Sequence, residues 1–275
     1  MFPDLIDSSA TSIVLILGAM LLVALIEVLV PLRERTAWSA IHLGPNLTLT
    51  FITFATNMVF NVLLLATLVW LQSNSLGLLN NLALAPFAAV AVVVLVLDFS
   101  FYVAHVSMHK LPSLWRFHSV HHSDPAVDVT TTIRQHPGES VIRYAWLAAF
   151  AIALGAGPAA FAVYRSWSAL NGLLEHANIR VPAWLDNTLA LVTTWPNLHK
   201  IHHSRHRHQT DTNYGNIFSF WDRLGGTFTP SKVDASIDYG LAGFDDPARQ
   251  TTRGLLVAPF QAFRSPAVAR MEQTR

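Results

Sequence analysis

Residues 12–32 run for 21 positions with only Ser12, Glu27 and Pro31 as polar or helix-breaking residues. As a helix rising ~1.5 Å per residue, such a stretch crosses the ~30 Å hydrocarbon core of a bilayer. Inside that core only a helix or a closed barrel satisfies every backbone amide and carbonyl, so most soluble folds are excluded at once. Residues 47–71 form a second run of 25 without a charge. Its polar positions Thr50, Thr53, Asn57 and Asn61 fall on one helical stripe, expected to face another helix and hydrogen-bond to it. A third apolar run begins near Leu82, tolerates Pro86 in its first turn and emerges around His105. Composition agrees: 52% of the 275 residues are hydrophobic and 13% charged, against about 25% charged in soluble proteins. Disorder, collagen and a basic nucleic-acid-binding domain are excluded. A cleaved signal peptide fits poorly, because Asp4 and Asp7 precede the first run and no positive charge does.

Residues 144–163 also lack charge, but Gly155-Ala156-Gly157-Pro158 interrupts them with a helix-breaking combination. Two helices of about 18 residues would each reach ~27 Å, so a hairpin that crosses and returns is expected, bringing residues 136 and 176 to one side. The expected fold class is all-α: a multi-span transmembrane helical bundle of three spans plus a helical hairpin, with a helical histidine-rich cap. Residues 1–89 would hold the N-terminal spans, 90–262 the third span, the hairpin and the histidine-rich cap, and 263–275 a C-terminal tail. Sixteen of the 18 Lys and Arg residues follow His105, and Arg33 and Arg35 follow the first run, so the cap is expected to be cytosolic. A bacterial inner membrane or the endoplasmic reticulum would suit this topology. Arg165 falls within the membrane in this arrangement and requires a partner, for which Glu27 and Asp98 are the candidates.

The chain has no cysteine, hence no disulfide, thiolate metal site or cysteine nucleophile, but 13 histidines, 12 of them between His105 and His208. Three clusters stand out: His105-x-x-x-His109, His118-x-x-His121-His122 and His199-x-x-His202-His203. Residues three or four apart share a helix face, so each cluster can aim two or three imidazoles at one point. Imidazole suits zinc, copper, iron and nickel rather than magnesium or calcium. Eight histidines exceed the four ligands of a tetrahedral zinc and match two ions; His176 is a ninth candidate. His136 is expected either in the outer shell or as a direct ligand, and Glu139 in the outer shell, where it can orient a ring. Asp98, seven residues before His105, either orients that ring, pairs with a cation or makes a helix-packing contact. His42, with no histidine at helical spacing, is read as interfacial, and His206 and His208 as solvated or phosphate-facing.

The segments Asp98-Phe-Ser-Phe-Tyr-Val-Ala-His105-Val-Ser-Met-His109, His118-Ser-Val-His-His122, Arg134-Gln-His-Pro-Gly-Glu139, Asn171-Gly-Leu-Leu-Glu-His-Ala-Asn178, His199-Lys-Ile-His-His203 and Asp211-Thr-Asn-Tyr-Gly-Asn-Ile-Phe-Ser-Phe-Trp-Asp222 together resemble the fatty acid hydroxylase / sterol desaturase superfamily. The resemblance covers roughly residues 90–262, with the histidine boxes in family order. It implies an integral membrane non-haem di-iron oxygenase with two iron ions under a cytosolic cap, O₂ as co-substrate, and His105, His109, His118, His121, His122, His176, His199, His202 and His203 as metal ligands. Asp98, His136, Glu139 and Asn171 would surround them. Some members carry a further histidine just before the one matching His176, where this chain has Asn171 and Gly172. The number of donors at one iron is therefore left open.

The implied reaction is hydroxylation or desaturation of a C–H bond in a lipid substrate. Tyr102, Trp115, Phe117, Trp167 and Trp195 would either line a lipid channel or anchor at the membrane interface. With no cysteine cluster and no G-x-G-x-x-G, electrons must come from a separate reductase, ferredoxin or cytochrome. Two alternatives from other classes are a zinc-dependent membrane hydrolase, separated by metal identity and O₂ use, and a histidine-rich metal transporter, which would place ionisable ligands midway along several spans.

Overall fold

The computed structural model describes residues 2–34, 37–230 and 237–261. Arg35, used for orientation, and the expected tail 263–275 lie outside the described residues. The principal helices are α1 (Phe2–Leu29), α2 (Ala37–Ser73), α3 (Pro86–Lys110), α4 (Pro112–His122), α5 (Pro137–Leu154), α6 (Pro158–His176), α7 (Ala183–Leu189) and α8 (Pro196–His202). No β-strand occurs among the described residues, only isolated bridges such as Pro31 with Ile179. The fold is the all-α membrane bundle that the sequence predicts.

Proline opens five of these helices. Pro86, Pro112, Pro137, Pro158 and Pro196 each stand at the first helical position, where a fixed φ favours the helix and the missing N–H has no intrahelical partner to lose. The residue ahead of each is forced out of the helical region; Leu111, at φ −100° and ψ 114°, thereby ends α3 and turns the chain sharply into α4.

Three helices, within 10–29, 40–73 and 86–110, are long and apolar enough to cross a membrane. α2 is longer than the expected span: it starts ten residues before Leu47 and continues through Pro45, adding a polar turn with His42 and Asn46. Leu68 of α2, Val93 and Leu97 of α3, Leu147 and Ala151 of α5, and Phe161 and Tyr164 of α6 pack into the main core. Leu15, Leu22, Leu25, Val59, Leu63, Trp70, Phe87, Val141 and Val163 point outward. So many exposed large apolar side chains suit lipid and not water.

The α5–α6 hairpin turns on Gly155, whose φ of 66° lies in the left-handed region and whose N–H caps α5 at the Ala151 and Ile152 carbonyls. Gly77, at φ 100°, sits against it: a Cβ on Gly77 would fall on the Gly155 Cα. Leu78 N–H donates to the Ala153 carbonyl. The hairpin turn and the α2–α3 loop thus occupy the same end of the bundle, opposite the histidines. Ala156 is buried in this contact.

The intramembrane polar residues depart from expectation. Arg165 pairs with neither Glu27 nor Asp98. It donates to the Tyr144 hydroxyl at 3.2 Å and lies over that ring. Glu27 instead accepts from the backbone N–H groups of Val129 and Asn178, both at 2.8 Å, tying α1 to the cap. Within the α2 stripe, Thr50 bonds back to the Asn46 carbonyl and Thr53 reaches the Gln135 carbonyl, whereas Asn57 and Asn61 line a cavity.

Candidate metal centre

Histidines from α3, α4, α6 and α8 meet at the cap end in two adjacent groups. One comprises His105, His109, His118, His122 and His202, the other His121, His176, His199 and His203; within each, the available nitrogens lie within 4.8 Å of one another, and all nine side chains are buried. Each H-x-x-H-H box is divided between the groups, since consecutive helix positions point about 100° apart. His118 and His122 face one group and His121 the other; His202 faces the first, His199 and His203 the second. Each box thus aims two of its three rings at one point and the third at the other. The groups touch: the His122 and His203 rings are 4.6 Å apart, centre to centre.

Within the groups Nε2 atoms confront one another. His105 and His118 approach to 3.0 Å, His118 and His122 to 3.1 Å, His176 and His199 to 3.0 Å, and His121 and His176 to 3.1 Å. The Nε2 atoms of His109 and His202 are buried without a hydrogen-bond partner. Burial, reinforced by neighbouring imidazoles, pushes His121, His122, His199, His202 and His203 well below the ordinary imidazole value, so their lone pairs remain unprotonated. Converging neutral nitrogens in a dry pocket fit transition-metal ions.

Orientation comes from the other ring nitrogen. His118 Nδ1 lies 3.0 Å from Glu139 Oε1, which also accepts from Arg143. His105 Nδ1 donates to the Tyr214 carbonyl, His202 Nδ1 to the Thr212 carbonyl and His176 Nδ1 to the Gly172 carbonyl, at 2.7–2.8 Å. The carbonyl-bearing loop is pinned by two carboxylates: Asp222 accepts from the N–H groups of Tyr214 and Gly215. Asp98 accepts from those of Ile217 and Phe218 and from the Trp221 indole. Asp98 therefore reaches His105 only through the loop. Asn171 likewise donates to the Thr194 and Asn216 carbonyls.

Other expectations change. His136 joins neither group; its Nδ1 accepts from Gly138 N–H as the cap of α5, and its Nε2 meets the Leu256 carbonyl. His42 is not interfacial but buried, 2.9 Å from Asp124, which also accepts from Asn46 and Thr131. Burial pulls the Asp124 carboxyl upward, and Arg134 and His42 overcome it, holding it well below the usual carboxylate range. Arg134, fully buried, bonds to Val120, Asn46, Ser123 and Gln250 and so locks the end of α4 against α2. Asn46 lies one helical turn from His42, a polar pair on an apolar helix that marks the network in the sequence.

A cavity of about 320 Å³ leads to the histidines, with Phe54, Phe101, Tyr144, Phe161 and Tyr164 in its walls and His105, His121, His176, His199 and Glu175 at its inner end. Of the two roles open to Tyr102, Trp115, Phe117, Trp167 and Trp195, lining this cavity is not the one they take. Tyr102 bonds to Thr227, Trp115 lies tilted against His109 and His122, Phe117 lies against His136, Trp167 is exposed and Trp195 is elsewhere. The outer lining includes Leu15, Ala162, Ser166 and Leu170, which are exposed on the flank of the bundle.

The profile of the fatty acid hydroxylase family matches residues 90–227. The chain is similar to ornithine lipid hydroxylase OlsE of Rhizobium tropici, 35% identical over 159 residues, which is 58% of this chain and 47% of that protein. It is similar to alkylglycerol monooxygenase of Caenorhabditis elegans, 31% identical over 148 residues, 52% of this chain and 28% of that one. A cholesterol 25-hydroxylase-like protein of Danio rerio is 27% identical over 138 residues, 50% of this chain and 54% of that one. The matched region is thus about half or less of these relatives' lengths. No solved structure matches.

Proposed function

The chain belongs to the fatty acid hydroxylase family, and from that premise we propose that it is a membrane-bound non-haem di-iron oxygenase that hydroxylates a lipid. The observation that carries the reading is the pairing of two buried, all-imidazole groups with a cavity that leads from the lipid-facing flank to them. The names of the relatives, two hydroxylases and a monooxygenase, favour hydroxylation over desaturation.

In this reading His105, His109, His118, His122 and His202 hold one iron and His121, His176, His199 and His203 the other. Bound iron would supply O₂ activation, one oxygen atom entering a C–H bond and the other leaving as water with two external electrons and two protons. The chain's own residues do the rest. Glu139 and the Tyr214, Thr212 and Gly172 carbonyls keep Nδ1 occupied and Nε2 free at four of the rings. Phe54, Phe101 and Phe161 hold an acyl chain and exclude water from the reacting carbon. Leu15, Ala162 and Ser166 form a lateral entrance from the bilayer.

Lys110, Arg116, Arg205 and Arg207 lie at the cap end, whereas the α2–α3 loop and the hairpin turn have no Lys or Arg. That asymmetry supports a cytosolic cap, where a separate electron donor docks. The deciding experiment is lipidomics of cells with and without the gene, combined with metal analysis of the purified chain. A lipid heavier by one oxygen that depends on the gene, and on iron, is expected. Loss of two hydrogens instead would mark a desaturase, and activity with zinc alone and no O₂ uptake would mark a hydrolase.

A further inference from the structure

We propose that Glu175 is an oxygen ligand to the metal held by His121, His176, His199 and His203, giving that ion four imidazoles and one carboxylate beside a neighbour with five imidazoles. This assignment rests on the two-metal reading above.

The donor count is unequal without it: five histidines form one group and four the other. At the four-histidine group, Glu175 is 3% exposed, and its Oε1 lies 3.9 Å from His199 Nε2, one of the converging nitrogens. Its Oε2 is buried with no hydrogen-bond partner. A buried carboxylate in that condition is costly unless a cation meets it. Among the described residues its ion-pair contacts are the His199 and His176 rings, with no Lys or Arg among them. The contrast with Glu139 is informative. That carboxylate meets His118 through Nδ1, the outward nitrogen, and is engaged by Arg143; Glu175 lies 3.9 Å from His199 at Nε2, the metal side, and 3.9 Å from His176 at Nδ1.

Gly172 stands one turn before His176 on α6, and a Cβ there would lie 3.3 Å from Thr132 Cγ2 and 4.0 Å from Glu175 Oε1, so a longer side chain at position 172 would crowd the carboxylate. Carboxylate oxygen and imidazole nitrogen are both good donors to iron, and one anionic donor makes the two ions inequivalent. Glu175 also lines the inner end of the cavity, on the side from which substrate arrives.

The test uses the full chain in lipid nanodiscs, loaded anaerobically with ferrous iron, as wild type, Glu175→Ala and Glu175→Gln. Iron per chain is measured after equilibration with a chelator, Mössbauer spectra are recorded on ⁵⁷Fe, and thermal midpoints are compared with and without iron. The wild type should keep about two irons with two distinct signals. Both variants should lose one signal selectively, the affinity for the second iron falling at least about tenfold. The metal-free midpoint of Glu175→Ala should hold or rise, because a buried carboxyl oxygen without a hydrogen-bond partner is gone, while its gain on adding iron shrinks. A purely structural role would lower the metal-free midpoint and leave both signals in place. Glu175→Gln keeps the side-chain volume and decides the matter if the alanine variant does not fold. Variants that retain two irons with wild-type chelator resistance and unchanged spectra overturn the assignment alone. A wild-type chain that holds fewer than two irons overturns the two-metal reading and this assignment with it.

Discussion

The two ends of the α2–α3–α5–α6 bundle close by opposite means. At the hairpin end Gly77 and Gly155 bring backbone onto backbone, with no charge and no side chain between them. At the cap end the closure is made of buried polar groups: Arg134, Asp124, His42 and Asn46 in one network, nine imidazoles in another. The first end only has to be tight. The second has to hold nitrogen lone pairs in a dry space, and each buried polar group there needs a partner of its own. Stability and chemistry are thus separated between the two ends of the bundle, so substitutions at the two ends should fail differently.

The largest effect is expected at the histidines. His202→Ala removes one of five converging nitrogens and a ring fixed by the Thr212 carbonyl. Hydroxylated lipid should fall below detection and iron content should drop, while membrane insertion, which depends on apolar spans elsewhere, stays unchanged. A variant that keeps wild-type iron would break the contrast, because the cap would then be as purely structural as the hairpin turn.

Next comes the polar network beneath them. Asp124→Ala leaves His42 without its ion-pair partner and Arg134 buried without a nearby counter-charge, a change that costs about 3–5 kcal/mol, measurable by unfolding in mixed detergent. Acid sharpens the point. The folded-state Asp124 carboxyl titrates below its ordinary value of about 3.9, so its stabilisation is complete above that pH and is lost as pH falls towards the folded value. The wild type should therefore lose thermal stability below about pH 4, and Asp124→Asn should lack that part of the slope. Identical acid limbs would show that Asp124 is not the group responsible.

A smaller cost is expected at the opposite end. Gly77→Ala puts a Cβ onto Gly155 at a left-handed φ, and forcing atoms into a filled contact costs about 1–3 kcal/mol. Iron content should be normal, because the change lies a full bundle length from the histidines. Loss of iron at this variant would mean that the two ends are coupled.

What was legible in the sequence follows the range of the physics. Hydropathy is local, so the spans could be read directly, and Gly155-Ala156-Gly157-Pro158 announced the hairpin through its own backbone. The nine histidines were legible as a set because clustered imidazoles have few other uses. Their partition was not, since which face of α4 meets which face of α8 is decided by packing. The same holds for Asp98, whose partners lie about 120 residues away, and for Arg165, which is met by a tyrosine and not by a carboxylate. His42 was misread because its partner one turn on, Asn46, is an amide and not another imidazole.

The smallest effect is expected at His206 and His208. In sequence they continue the density of histidine beyond His203, yet both are exposed, and their rings, 5.9 Å apart, lie outside both metal-competent groups. An exposed imidazole loses little when truncated, so His208→Ala should change stability by no more than about 0.5 kcal/mol and leave iron content and product unchanged. The comparison with His42→Ala is the useful one. That residue, also a histidine without a place in either group, is buried against Asp124, and its loss should destabilise the cap without removing a ligand. If the two variants behave alike in unfolding, burial does not distinguish them, and the cap's closure rests on the imidazole groups alone.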